Sequence, residues 1–175
     1  DAGGIVTNDP SLAEQVRVFR NYGSEKRYYN RVVGTNSRLD ELQAGLLRVR
    51  LSHIQELEEE KRAICERYLQ NIKNPLVILP KIREGATHIW HQFVIRCEER
   101  DELIAYLNEK EIGTIIHYPI PPHMSEAYQY LHIPQGSLPV TEKYAKTVLS
   151  LPLYNGMSET EQNYVVEAIN DFTGV

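Results

Sequence analysis

The spacing of apolar and polar positions changes period several times along this chain, and the changes mark its elements. Residues 5–7, Ile-Val-Thr, form a short β-compatible run entered from Gly3-Gly4 and left through Asn8-Asp9-Pro10, which predicts a strand. Leu12, Val16 and Phe19 then recur at helical spacing behind Pro10-Ser11, and Gly23 offers a stop, so residues 11–19 predict a helix. Over residues 39–72 a drifting apolar stripe (Leu39, Leu42, Leu46, Val49, then Leu47, Leu51, Ile54, Leu57, then Ile64, Tyr68, Ile72) predicts one long helix. Unbroken, it would reach roughly 50 Å at the helical rise per residue, more than one small core covers. The acidic block 56–60 marks part of it as solvated.

Beyond Asn74-Pro75 the period becomes that of short strands. Residues 77–79 and 91–97 predict strands, 101–108 a helix and 113–118 a further strand. Helical segments follow at 125–130, 140–150 and 158–172, the last opening on Ser158-Glu159-Thr160-Glu161, which has capping-box form. Strand, helix, strand describes a small α/β layer with helices on one face. No internal repeat or low-complexity tract appears, and the one boundary falls near Asn74.

Three segments carry candidate chemistry. Gly34-Thr35-Asn36-Ser37-Arg38-Leu39-Asp40-Glu41 sets a polar loop against the start of the long helix, and Asn36 and Ser37 are both good N-cap residues. First-turn amides without intrahelical partners, together with the helix dipole, predict an anion site there. Between residues 24 and 35, Lys26, Arg27, Tyr28, Tyr29 and Arg31 crowd a polar loop. It reads either as a solvated basic patch with tyrosines shielding a core, or as a binding loop offering cations and phenols to an anionic ligand. His117-Tyr118-Pro119-Ile120-Pro121-Pro122-His123 enters a proline-stiffened loop. It is either a structural corner or a rigid wall from which His117 and Tyr118 donate to a hydroxylated ligand. His88 and His91 read more simply as packing around a strand edge.

Composition narrows the classes. The 175 residues carry a formal net charge of -5 with both signs mixed and no basic stripe, which argues against nucleic acid as a partner. Cys65 and Cys97 stand far apart and outside metal-ligand spacing, so neither a disulfide framework nor a metal centre is expected. No apolar run has the length of a membrane span, and the expected compartment is the cytoplasm. A strand opening the chain without an initiator methionine leads to the expectation that it is part of a longer protein. No Ser-His-Asp order, glycine-rich phosphate loop or HExxH helix supports a hydrolase, kinase or zincin.

The strings GGIVTND, RNYGS, GTNSRLDELQAGLLRVRL, HQFVIR, RDELIAYL, GTIIHYPIPPH and LSLPLY stand in an order and spacing similar to those of the DegT/StrS family of sugar aminotransferases. These are fold-type I enzymes using pyridoxal 5'-phosphate (PLP), and the resemblance runs over essentially the whole chain. It implies an α/β fold: the end of a fold-type I aminotransferase large domain, a long linking helix, and a small α/β domain with a short, mainly antiparallel sheet. Residues 1–73 would complete the PLP-binding domain and 74–175 form the small one. The implied activity is transfer of an amino group from an amino acid, usually glutamate, to a nucleotide-linked keto-deoxysugar. Lipopolysaccharide, O-antigen or other glycan biosynthesis would use the product, and the implied assembly is a homodimer.

The same resemblance implies residue roles. Asn36, in the GxNxR string, would reach across the dimer interface to the PLP phosphate of the neighbouring subunit. Arg27 resembles in placement a basic residue that approaches the nucleotide-sugar, with Lys26 beside it. His117 and Tyr118 match the HYP string that faces the sugar. The Schiff-base lysine would lie upstream of Asp1, so no catalytic residue is expected within this chain, which alone would be inactive. The contrasting expectation is a non-catalytic dimerisation or regulatory domain built on this fold.

Overall fold

Asp9 opens the first helix. Its Oδ1 accepts from the amides of Ser11 at 2.8 Å and Leu12 at 3.2 Å, and Pro10 sits where a missing N–H costs nothing, so α1 runs Pro10–Phe19. The computed structural model describes residues 3–174, and the chain divides into two compact units, Asp1–Ile54 and Gln55–Val175. In the first, α1 is followed by a hairpin of β1 (Ser24–Lys26) and β2 (Tyr29–Asn30), then by α2 (Glu41–Ser52). Residues 5–7 are not a strand, because no second strand among the described residues lies alongside to pair with them.

The single long helix is also corrected. It is two helices, α2 and α3 (Ile54–Asn71), separated at His53, whose amide donates to Arg50 O at 3.2 Å. Just before the break, the Ser52 hydroxyl donates to Val49 O at 2.7 Å, a local bond that competes with the helical ladder. The two helices differ in burial. In this chain α2 buries no residue and leaves Leu42 78% and Leu46 66% exposed, whereas α3 sinks Ile64, Cys65 and Tyr68 into a core.

That core belongs to the second unit. Its sheet is antiparallel, ordered β3 (Val77–Ile78), β4 (Phe93–Cys97), β5 (Val148–Leu151). β4 alternates as a half-buried strand must, with Phe93, Ile95 and Cys97 on the core face. Against that face pack α3, α4 (Arg100–Glu109) and α6 (Glu159–Asp171), through Tyr68, Leu103, Leu107, Val165 and Ile169. The Tyr68 ring meets Phe93 edge-on at 5.1 Å. Asn74 ties the join between α3 and β3 to the end of α6: its Nδ2 donates to Ile169 O at 2.7 Å and Phe172 O at 2.6 Å. Ser158 and Glu161 form the expected capping box.

The sheet has a second covered face. Val94, Arg96 and Ser150 project from it by alternation and register, and α5 (Pro139–Thr147) sets the Tyr144 ring 4.5 Å from the Arg96 guanidinium. Helices therefore cover both faces, not one. Two further expectations change here. The segment 140–150 is helical only to Thr147 and then becomes β5, whose four residues are all buried; a fully buried strand shows no alternation to separate it from a helix. Residues 113–118 are not a strand but touch the sheet through one isolated bridge, Ile115 to Ser150, because Pro119 and Pro121-Pro122 carry the chain away. Residues 126–131 are a 3-10 turn. No helix among the described residues is long and apolar enough to cross a membrane.

Candidate functional site

The four singled-out residues fall in both units, Arg27 and Asn36 in the first, His117 and Tyr118 in the second. Asn36 is held by lacing between the end of α1 and the loop before α2. Thr35 N donates to Phe19 O at 2.9 Å, Ser37 N to Arg20 O at 2.8 Å, and Tyr22 N to Thr35 O at 3.0 Å, so Asn36 bridges Asn21 as an antiparallel pair. Glycine is needed twice here. Gly23 turns back at φ +72°, and a Cβ on Gly34 would lie 2.1 Å from Gly23 N and 2.6 Å from Phe19 O.

Neither Asn36 nor Ser37 caps α2. The N-cap is Asp40, whose side chain makes no capping bond, so the anion argument built on a helix entrance at Asn36 does not hold. What the loop presents instead is the Asn36 side chain. Arg38 Nε donates to Asn36 Oδ1 at 3.3 Å, which fixes the amide with its oxygen occupied and its two Nδ2 hydrogens available. The Arg38 guanidinium also lies 5.5 Å from the Tyr22 ring centre. Arg27 and Tyr28 form the two-residue turn of the β1–β2 hairpin, with Tyr28 at φ +70° and the guanidinium 5.0 Å from its ring. Lys26 stacks on Tyr29 at 5.3 Å in the same way. The tyrosines are exposed, so the reading in which they shield a core is corrected: they sit under the cations.

In the second unit His117 is half-buried, and its Nδ1 lies 2.9 Å from the hydroxyl of buried Ser150 on β5. Tyr118, 73% exposed, sets its ring edge-on to His117 at 5.5 Å. Sequence reasoning passed over Ser150, although a lone hydroxyl inside Val148-Leu149-Ser150-Leu151 is a readable anomaly. It also passed over a polar cluster that fastens the loop beyond His117. His123 and Glu142 are buried, with Nε2 3.2 Å from Oε1, and the same carboxylate accepts from Gly136 N at 2.8 Å and Leu138 N at 3.3 Å.

Burial alone would raise the Glu142 carboxyl, but the bonds from Gly136, His123 and Leu138 outweigh it and hold the carboxyl below the ordinary value of 4.5. The group therefore contributes stability that is complete above 4.5 and is lost as the pH falls through the lower folded value. Wild-type thermal midpoints should fall on acidification below that value, and Glu142→Gln should lose this component of the slope. Parallel midpoint-against-pH curves for the two proteins would refute the assignment.

The thiols are not nucleophiles. Both cysteines are buried and free, and burial pushes Cys65 up to about 12.

Comparison with known proteins identifies the family. The model of the DegT/DnrJ/EryC1/StrS aminotransferase family matches residues 1–170, and the chain belongs to that family. It is 46% identical over 170 residues to the dTDP-3-amino-3,6-dideoxy-alpha-D-galactopyranose transaminase of Aneurinibacillus thermoaerophilus, covering 97% of this chain and 46% of that protein. Among solved structures it is similar to DesV of S. venezuelae in complex with a ketimine intermediate, at TM-score 0.91 and 42% identity, covering 94% of this chain and 45% of that one. It is also similar to NtdA from Bacillus subtilis with bound cofactor PMP, at TM-score 0.82 and 27% identity, covering 94% of this chain and 40% of that one. The chain thus spans about half the length of the relatives it matches.

Proposed function

We propose that this chain is the carboxyl-terminal half of a PLP-dependent aminotransferase that moves an amino group from an amino acid, glutamate by family habit, to a nucleotide-linked deoxysugar bearing a keto group. Residues 1–73 then complete the large domain and 74–175 form the small one. The enzyme works as a homodimer in the cytoplasm, where unpaired Cys65 and Cys97 are at home, and its product enters lipopolysaccharide, O-antigen or other glycan biosynthesis. Family membership over residues 1–170 supports the class of reaction, and the names of the relatives support the class of sugar.

The observation that carries the cofactor reading is the Asn36 loop. A phosphate needs convergent N–H donors, and Asn36 Nδ2, with its amide oriented by Arg38, offers them beside the Arg38 guanidinium, a cation in the same neighbourhood. These residues fit the PLP phosphate. When bound, PLP supplies the electron sink and carries the amino group between substrates. Asn36 holds the phosphate of a partner protomer's cofactor. Arg27 and Lys26, at the hairpin tip, neutralise the sugar nucleotide's diphosphate, and His117 and Tyr118 bind hydroxyls of its sugar. The apolar side chains of α2 find cover in the remainder of the large domain and in the second protomer.

Replacing Asn36 by Ala in the intact protein should weaken PLP retention by about tenfold or more, the scale of a hydrogen bond to a charged group. Spectrophotometric titration of the apoprotein checks this. Unchanged affinity would remove Asn36 from the phosphate site.

A further inference from the structure

Ser150 occupies an unusual place. Its neighbours Leu149 and Leu151 point into the core, so alternation turns its hydroxyl to the opposite face, the face shared by the side chain of Ile115, its antiparallel bridge partner at the edge of β5. Both its backbone groups are committed to that bridge: Ser150 N donates to Ile115 O at 2.8 Å, and Ile115 N donates to Ser150 O at 3.3 Å. His117 lies two residues beyond Ile115 and so returns to the same side, where its Nδ1 meets the hydroxyl. Ser150 is only 6% exposed.

The proton assignment follows from satisfiability. Among the described residues the hydroxyl has one hydrogen-bond partner, His117 Nδ1. Were Nδ1 to carry the proton and donate to Oγ, the buried hydroxyl hydrogen would be left without an acceptor. With the hydroxyl donating to Nδ1, every group is paired, and the ring must carry its hydrogen on Nε2. That nitrogen has no protein partner among the described residues and is not a buried orphan.

We infer that Ser150 is a positioning residue: by donating to His117 Nδ1 it fixes the imidazole as the Nε2–H tautomer and presents that N–H, beside the Tyr118 phenol, as a donor to an acceptor oxygen of the sugar. The last step rests on the proposed role of His117 as a sugar contact; the tautomer assignment does not. Two neighbouring side chains then divide the work of recognition, one offering only a donor and the other a group that donates or accepts. Such a pair prefers a hydroxyl or keto oxygen to an amine at the position facing His117.

The test uses the intact protein. Long-range 1H–15N spectra of the histidine rings, with the His117 signal identified by its loss in His117→Ala, should show the Nε2–H form almost alone. Ser150→Ala should convert that signal to a mixture of both tautomers, and Ser150→Thr, which keeps the hydroxyl, should restore it. The apparent KM for the keto-sugar should rise by about two- to tenfold in Ser150→Ala, the scale of one neutral hydrogen bond, with kcat and the KM for the amino donor unchanged. An unaltered His117 spectrum in Ser150→Ala overturns the inference whatever the kinetics. A shifted spectrum, combined with a sugar KM that neither Ser150→Ala nor His117→Ala moves, upholds the tautomer control and removes His117 from the sugar site. Should Ser150→Ala prove poorly folded, the isosteric Ser150→Cys, a weaker donor, must give a partial shift in the same direction; no shift overturns the inference.

Discussion

Gly34→Ala is expected to cost the intact protein its cofactor affinity more completely than Asn36→Ala does, although residue 34 carries no functional group. The added Cβ would sit 2.1 Å from Gly23 N and 2.6 Å from both Phe19 O and Tyr22 C, all backbone atoms that cannot swing aside. The loop must open, and overpacking of this kind costs about 3 kcal/mol. Opening releases the bonds from Thr35 to Phe19, Ser37 to Arg20 and Tyr22 to Thr35, which are what hold Asn36 in place. Amide hydrogen exchange at Tyr22, Thr35 and Ser37 should accelerate, while the amides of β4 and β5 keep their protection. Native protection at those three amides together with lost PLP binding would mean that the loop geometry is not what the cofactor reads.

Phe93→Ala should have the largest effect on stability. Phe93 is fully buried at the start of β4, pairs with Leu151 across the sheet, and touches Tyr68 at 5.1 Å and Trp90 at 5.4 Å between ring centres. Truncating a buried phenylalanine costs about 3–5 kcal/mol, transfer and cavity together. A domain of ordinary stability holds only about 5–15 kcal/mol in total. Denaturant unfolding followed by the fluorescence of Trp90, the single tryptophan of these 175 residues, should show the midpoint fall by roughly a third or more. A loss under about 1 kcal/mol would mean that the site collapses around the missing ring, contrary to the close packing drawn here.

The two effects differ in kind, and so did their legibility. The strand that carries Phe93 is readable in sequence over residues 91–97, and its pleat then puts Phe93, Ile95 and Cys97 on the core face. The constraint on Gly34 is not readable there. What makes alanine impossible there is the approach of residues 19–23, set by how the chain returns from the β1–β2 hairpin.

Corrections elsewhere have the same origin. The stripe over residues 39–72 carried no glycine or proline near its middle to announce a break, so the separation at His53 came from a local competition in which Ser52 bonds back to Val49. β5 lay hidden inside an expected helix because its four residues are buried on both sides and leave no period to read. The N-cap moved from Asn36 to Asp40 because Asn36 is drawn into a bridge with Asn21, fifteen positions earlier by its number. Hydrogen-bond partners of that separation are invisible to propensity.

Local pattern, then, determined what is local: the α1 start at Pro10-Ser11, the capping box at Ser158 and Glu161, the strand that became β4, and the ordered strings by which the family is known. Their energies depend on neighbours a few residues away, which any reader of the chain can see. The orientation of the Asn36 amide by Arg38, the donation from Ser150 to His117, and the grip of Glu142 on His123 and Gly136 were decided only in three dimensions. A side chain's hydrogen-bond partner and tautomer follow from which donors and acceptors burial leaves within reach, and the Ser150 and Glu142 pairings exist only after the sheet and α5 have packed.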